Sequence, residues 1–570
     1  MNIFNKAGFA ALAVAACFGV SSCIETDYRL GTNTVPTDQL FDTYYADIPI
    51  ENIELRMADS LSGYSNTKIT VGAIRDKEFG LTTRSSAVTL LPLLDTLDYG
   101  KNPVYKRFYF SVARDTTSVF QENQEHLLQN INVYELEEVL DFTKNDINAS
   151  LAHGNKRISK GIPMVSGTTD SLSFNFTEEY GKRYMNIKQE DLKDLNTYLK
   201  KFPGIYLTSD APKAIGGRIN IFKLQLSYSS SYNTVSGQYA RLDFNSEYEG
   251  KRKDTTFLFY LCPQKVYRVD SLLSSVNTNN GETFPLYAYN VATHETRDRA
   301  MKAGETITIE GGGGLKPVIP AEYLQKIMKE EVSKHTDKPE EVIVNRASII
   351  FPFEMPEEWT DLNFYPEYLN PTARISFKEG VSYGSLTDAT STSEEPGKIN
   401  RSLLEYRADA TYHLQHVLKA SESAKLSNYD IWFMIMKKEI TENEDDGSEM
   451  MNYMSAMSMA NYYNNMYGYG GYGGYGGYGM GYGGYGMGYG GYGMGYGMGY
   501  GGYGYGGYGY GYGSNYYNMA MMAAMMSGNS TFSSIELDRD RFYRGKLIGP
   551  DSDSERKPMF HFVYSIPRKN

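Results

Sequence analysis

Between residues 467 and 513 the chain uses three residue types only: 27 glycines, 16 tyrosines and four methionines. No Leu, Ile, Val or Phe is present to bury, and no charge to pair. Glycine loses more conformational freedom on ordering than any other residue, so fixing this stretch is costly and little apolar burial offsets it. The irregular glycine spacing and the absence of proline exclude a collagen helix. The segment is therefore expected as a loop, with methionine-rich shoulders at 450–459 and 519–526. The chain does not end there. Phe560-His561-Phe562-Val563-Tyr564-Ser565-Ile566 reads as a strand that ties the C-terminus into a sheet. The tract is then an insertion inside a domain, at 447–530, and its flanks must meet. Loop-closure cost grows only logarithmically with length, so a domain tolerates this. As a surface loop it is either a passive expansion or an adhesive brush of tyrosine rings.

Outside the tract, period-two patterning dominates. Lys68-Ile69-Thr70-Val71-Gly72-Ala73-Ile74, Arg107 to Ala113, Asn130 to Leu136, Ser171 to Phe176 and Arg218 to Tyr228 are rich in β-branched and aromatic residues. The last of these carries a slip at Phe222-Lys223 that reads as a bulge. Later strands are expected at Val342 to Val344, Ala347 to Phe353, Ala373 to Phe377 and Tyr429 to Met436. Helical spacing occurs in Gln189 to Phe202 and in Pro320 to His335. The fold class is mostly β: two antiparallel, jelly-roll-like β-sandwich domains with a few short helices and the long Tyr/Gly-rich insertion. The expected limits are 46–285 for the N-terminal sandwich and 286–570 for the C-terminal one.

The first residues carry an address. Lys6 precedes an apolar run from Ala7 to Val20, too short to span a bilayer stably. It closes on Val20-Ser21-Ser22-Cys23, small residues directly before a cysteine. This resembles a bacterial lipobox, which implies a signal peptide over 1–22, lipidation of Cys23 and anchoring to the membrane by acyl chains. Glu25 and Asp27 follow, resembling the surface-export signal of Bacteroidota lipoproteins. Residues 23–45 read as a tether. Cys17 leaves with the signal peptide, which leaves Cys262 as a lone, buried small hydrophobe.

Chemistry-bearing motifs are weak. Gly380-Val381-Ser382-Tyr383-Gly384 matches the nucleophile-elbow pattern, but a loop composition follows where a helix is required. Gly311-Gly312-Gly313-Gly314-Leu315-Lys316-Pro317 lacks the hydroxyl and helix start of a phosphate loop and reads as a turn or bulge. His413 and His416 lack a third ligand, and the acidic run Glu442 to Asp446 lacks calcium-loop spacing. Trp432 reads as core, and Trp359 is a candidate sugar platform. No catalytic, metal-binding or cofactor-binding residue is assigned, no cofactor is expected, and the chain is not expected to be an enzyme. Asp-Ser/Thr triplets at Asp59, Asp95, Asp115, Asp170, Asp254 and Asp270 resemble O-glycosylation acceptors or serve as turns. With 56 basic and 68 acidic residues, the net charge of −12 argues against nucleic acid as a partner.

Several segments together carry a family likeness: Leu30-Gly31-Thr32-Asn33 with Pro36, Val71 to Asp76, Phe79-Gly80, Asn132 to Leu136, Gly311 to Pro317, and Asn345 to Pro352. The chain resembles the Bacteroidota lipoproteins of domain-of-unknown-function family 4270. The resemblance implies an outer-membrane lipoprotein at the cell surface with a structural or interaction role. An accessory subunit of the outer-membrane protein assembly machinery is the leading expectation. The alternative is a glycan-binding lipoprotein of a nutrient-uptake system.

Overall fold

The computed structural model describes residues 40–568, apart from two long stretches, 262–287 and 443–530, and shorter ones at 59–60, 66–67, 93–95, 116–118, 121–126, 141–145, 193–194, 225, 230–233, 296–301, 378–379, 391–392 and 422. Cys17, Cys23, Cys262 and the Tyr/Gly tract lie outside the described residues. The fold is mostly β, and its sheets are antiparallel.

A first sandwich faces a branched ten-stranded sheet against a five-stranded one. The larger sheet contains Lys68–Asp76, Gly80–Val88, Gln129–Leu136, Ile205–Ser209 and Gly216–Lys223. The smaller one pairs Ser171–Asn175, Lys101–Ala113, Tyr239–Tyr248 and Lys251–Tyr260 in that order, with the short Leu91–Pro92 at its edge. Alternation decides which side chains face inward. Ile69, Val71, Val133 and Leu207 from one sheet meet Phe108, Phe110, Leu242 and Phe259 from the other in one buried cluster. The helix Glu178–Tyr184 closes this core with Tyr180 and Tyr184. The Tyr184 ring lies 4.8 Å from Phe108 and 5.3 Å from Phe259. The Tyr198 hydroxyl donates to the Leu90 carbonyl at 2.6 Å, so this buried phenol keeps a partner.

A second body is one eleven-stranded sheet. Its central order runs Ile343–Pro352, Glu405–Asp409, Pro396–Asn400, Tyr368–Phe377, Ile431–Glu442. In a flat sheet the first and last of these would stand about 19 Å apart, at ~4.8 Å per strand. Yet the rings of Phe351 and Phe433 sit 4.7 Å apart, edge to face. The sheet therefore folds over on itself and acts as both layers of a sandwich. The helices Ala321–Val332 and Thr411–Lys419 pack against its core through Leu324, Met328, Leu414 and Val417. Their ends are satisfied by side chains. Asp430 accepts from the Ala321 amide at 3.0 Å, and Gln325 donates to the terminal carbonyls of Val417 and Ala420.

Strand pairing departs from the expected limits in three places. Residues 41–45 are strand rather than tether, because Phe41–Pro49 pairs along its whole length with the terminal strand Met559–Pro567. Glu54–Met57 likewise pairs with Leu315–Ile319 in the second body. Ala288–His294, by contrast, belongs to the first sandwich through Gly80–Val88. Sequence neighbourhood suggested a boundary near 285, but long-range registry governs membership. The slip at Phe222-Lys223 is a strand end rather than a bulge, and Leu226–Ser229 pairs elsewhere with Thr234–Gly237. The expected helix over 189–202 is confined to Leu195–Lys201.

The insertion emerges from a hairpin. Ile431–Glu442 and Thr531–Leu537 pair from Met436↔Leu537 to Glu442↔Thr531, which brings the two flanks together in register. Replacing residues 443–530 with a two-residue turn is therefore expected to leave the fold intact. Shortening the loop should raise stability by up to about 3 kcal/mol, at ~0.6 kcal/mol per halving of its length. Urea unfolding checks this; a lower midpoint would contradict it.

Candidate functional site: a buried seam and the cleft beside it

The two bodies meet along a seam built from the segment that follows the insertion hairpin. Phe542 inserts among Ile74, Ile219 and Ile221 of the first sandwich. Beside it the strand Arg544–Ile548 presents two cations to the turn after Lys68–Asp76: Arg544 pairs with Asp76 and Lys546 with Glu78. Arg544 also reaches Asp361 at 3.1 Å and lies 4.8 Å from the Phe364 ring. Arg539 donates to the Ser62 carbonyl at 2.9 Å.

Deeper in, the Gly-rich segment is a turn, as its sequence suggested. It joins Thr306–Glu310 to Leu315–Ile319, and the Gly314 amide donates to the Gly311 carbonyl at 3.1 Å. Lys316 serves this turn rather than a phosphate. Its ammonium donates to the carbonyls of Gly312 at 3.0 Å and Gly314 at 2.9 Å, as well as to that of Glu310. Gly312 has φ +56°, and a Cβ there would stand 2.5 Å from both terminal nitrogens of Arg84. Glycine is required by conformation and by space.

Arg84 is 1% exposed, and none of its three guanidinium nitrogens has a hydrogen-bond partner. Burial lowers its pKa to about 10, opposed by the fields of Asp540, Asp538 and Glu310. Asp540 accepts from Asn290 at 3.2 Å, and burial raises its pKa. Burial takes Lys316 down to about 7, with Glu310 opposing and Arg84 assisting. His294 stands 3.9 Å from Glu310, a spacing suggestive of an ion pair. Burial, together with the fields of Arg84 and Lys316, instead holds its pKa well below the usual value and leaves the ring neutral. Three acids thus surround two bases in a largely buried cluster. Such an arrangement fixes relative position more than it adds stability.

The same segment also lines an open cleft of about 1140 Å³ on the second body, where Arg541 and Tyr543 face Asn363, Asn400 and Arg401. This cleft had no sequence signal, because its walls come from residues 363–407 and 541–543, which are distant in the chain. Trp359, the candidate platform, is 71% exposed and opens the 3-10 helix Trp359–Phe364, whose far end supplies Asn363 to the cleft wall. Trp432 is core, with Arg56 5.7 Å from its ring.

The serine and histidine motif residues sit in regular elements. Ser382 lies within the strand Gly380–Ser385, opposite Ile375 in a hairpin, which is not an elbow geometry. His413 is buried on the helix Thr411–Lys419, and its Nε2 contacts the Tyr429 carbonyl at 2.9 Å. Burial pushes its pKa down to about 4. Among the described triplet hydroxyls, Thr96 is exposed, whereas the Thr255 hydroxyl is buried without a partner. No group of three or more metal-ligating side chains occurs among the described residues. No helix among them is long and apolar enough to cross a membrane.

Two outcomes follow. Gly312→Ala should lower stability by about 2–5 kcal/mol, combining ~1–2 for the left-handed backbone with ~1–3 for overpacking against Arg84. Denaturant titration measures it, and a change below 0.5 kcal/mol, the usual scale of a surface substitution, would contradict the tight seam. The second concerns pH. His294 and His413 have folded pKa values below the unfolded 6.5, so their contribution is complete above about pH 6.5 and is lost as pH falls through the folded value. For His413 the loss reaches about 3 kcal/mol near pH 4. Urea midpoints measured from pH 7 to 4 should fall less steeply in His413→Gln; equal slopes would contradict the buried neutral ring.

Comparison with family models, curated proteins and solved structures finds no match for this chain.

Proposed function

We propose that the chain is an outer-membrane lipoprotein, anchored through Cys23 and displayed at the cell surface. Its role is structural and interactive rather than enzymatic, as an accessory subunit of the machinery that assembles outer-membrane proteins. The observation that carries this reading is the way the chain enters the fold. Phe41–Pro49 forms nine register pairs with Met559–Pro567 and stands at the edge of the eleven-stranded sheet. Its outer side is unpaired among the described residues. Such an edge can receive a partner's strand through main-chain hydrogen bonds. Residue 40 lies 17 residues after Cys23, a reach of at most about 60 Å at ~3.5 Å per residue. An anchor at Cys23 thus holds a strand-accepting edge near the membrane surface, where barrel strands are assembled.

The body behind that edge suits a scaffold. Its two sandwiches are joined by a buried polar and apolar seam, and the nucleophile-like serine sits in a hairpin. The alternative, a glycan-binding lipoprotein of a nutrient-uptake system, is favoured by one observation, the open cleft.

Cys23→Ser is expected to abolish labelling by radioactive palmitate and to move the protein from the membrane pellet to the soluble fraction. Retained label would refute the anchor. Mild-detergent capture through a C-terminal tag should recover a barrel-assembly protein. Recovery of a transporter-like barrel alone, or of nothing, would refute the assembly role.

A further inference from the structure

The cleft on the second body has an uneven charge account. Glu367 pairs with Lys398 at 3.7 Å, and Arg407 with Glu405 at 3.1 Å and with Glu395 at 3.9 Å. Arg346 takes Glu395 as well. Two cations remain. Neither Arg401 nor Arg541 has an ion-pair partner among the described residues, and the Arg541 Nε is buried without a hydrogen-bond partner. Arg541 is held over the Tyr543 ring at 5.4 Å, and the Tyr543 hydroxyl donates to Asp538 at 2.8 Å. The guanidinium is therefore positioned by aromatic packing, with no carboxylate among the described residues paired to it. A guanidinium that lines an open cleft without an ion-pair partner is a ready charge-assisted donor to a ligand carboxylate or sulfate.

The remaining wall favours a hydroxyl-rich ligand. Asn363 and Asn400 provide amides, and the paired carboxylates keep free acceptor sites. Leu403, more than half exposed, adds an apolar contact. Trp359 stands four residues before Asn363 on the same 3-10 helix, about 8 Å along the axis at ~2 Å per residue. Its exposed ring can carry the apolar face of a further sugar unit. Nucleic acid fits poorly, since a dense polyanion would meet two free guanidinium groups on a chain of net charge −12. We propose that this cleft binds an acidic saccharide, with the carboxylate or sulfate of one sugar unit on Arg541 and Arg401 and neighbouring hydroxyls on Asn363 and Asn400. The inference rests on the glycan-binding reading and is independent of the anchor and of the assembly partner.

Calorimetric titration of the full chain tests it with four probes: oligogalacturonate, a chondroitin sulfate oligosaccharide, a neutral maltooligosaccharide and inorganic sulfate. Saturable binding is expected for at least one acidic oligosaccharide and not for the maltooligosaccharide. Arg401→Glu, at an exposed position, should weaken it at least tenfold without changing the melting temperature, and Arg541→Gln should do the same to affinity. Absence of binding to both acidic oligosaccharides would overturn the proposal, as would affinity unchanged in both variants or an equal response to the neutral sugar. Binding of inorganic sulfate as tight as that of the oligosaccharide would also overturn it, reducing the cleft to an ion site. None of these failures bears on palmitate labelling or on the captured partner, so the two readings fail separately.

Discussion

The burial of Arg84 is the constraint on which the arrangement of the two bodies depends. A guanidinium with no direct partner survives in a dry interior only if surrounding charges are fixed at the right distances. Here those charges come from two separate stretches: Glu310 and Lys316 on either side of the glycine turn, and Asp538 and Asp540 after the insertion hairpin. The turn at 311–314 must approach closely enough that no Cβ fits at Gly312. Shifting one body against the other would expose or separate these charges. The apolar insertion of Phe542 and the ion pairs of Arg544 and Lys546 act on the same segment, so one short stretch fixes the interface by three kinds of force.

That segment also links the seam to the surface. Asp540 faces inward, whereas Arg541 reaches the cleft one residue later. The cleft therefore inherits its geometry from the seam. The first and last described strands are paired with each other over nine residues, so both ends of the described chain are tied into one sheet. The long insertion leaves from a hairpin whose ladder is complete at Glu442↔Thr531, which lets the sheet form without it.

The sequence made the local elements legible. Alternation at Lys68 to Ile74 and at Ser171 to Phe176, and the apolar stripe of Leu324, Ile327, Met328 and Val332, lead directly to strands and a helix, because burial on one face writes its period into the residues. The glycine turn and the core position of Trp432 were readable for the same reason. The partnership of residues 41–57 with the far end of the chain was not. Register across five hundred residues leaves no local trace. The helix Thr411–Lys419 is short and lacks a side-chain cap at its N-terminus, so only Leu414, Val417 and Leu418 mark its buried face. The seam was hidden because charged residues such as Arg84 and Asp540 read as solvated until their neighbours are known, and the cleft because its walls come from distant segments.

A scaffold reading requires that the two sandwiches behave as one body, so that an edge strand near the membrane and a cleft on the same molecule keep fixed positions. Pulsed hydrogen exchange through a urea transition, read by mass spectrometry on peptides from Lys68–Val88 and from Tyr368–Phe377, tests this most directly. Both sets of amides are expected to lose protection at the same urea concentration. Two separated midpoints, with the first sandwich opening while the second stays protected, would contradict it.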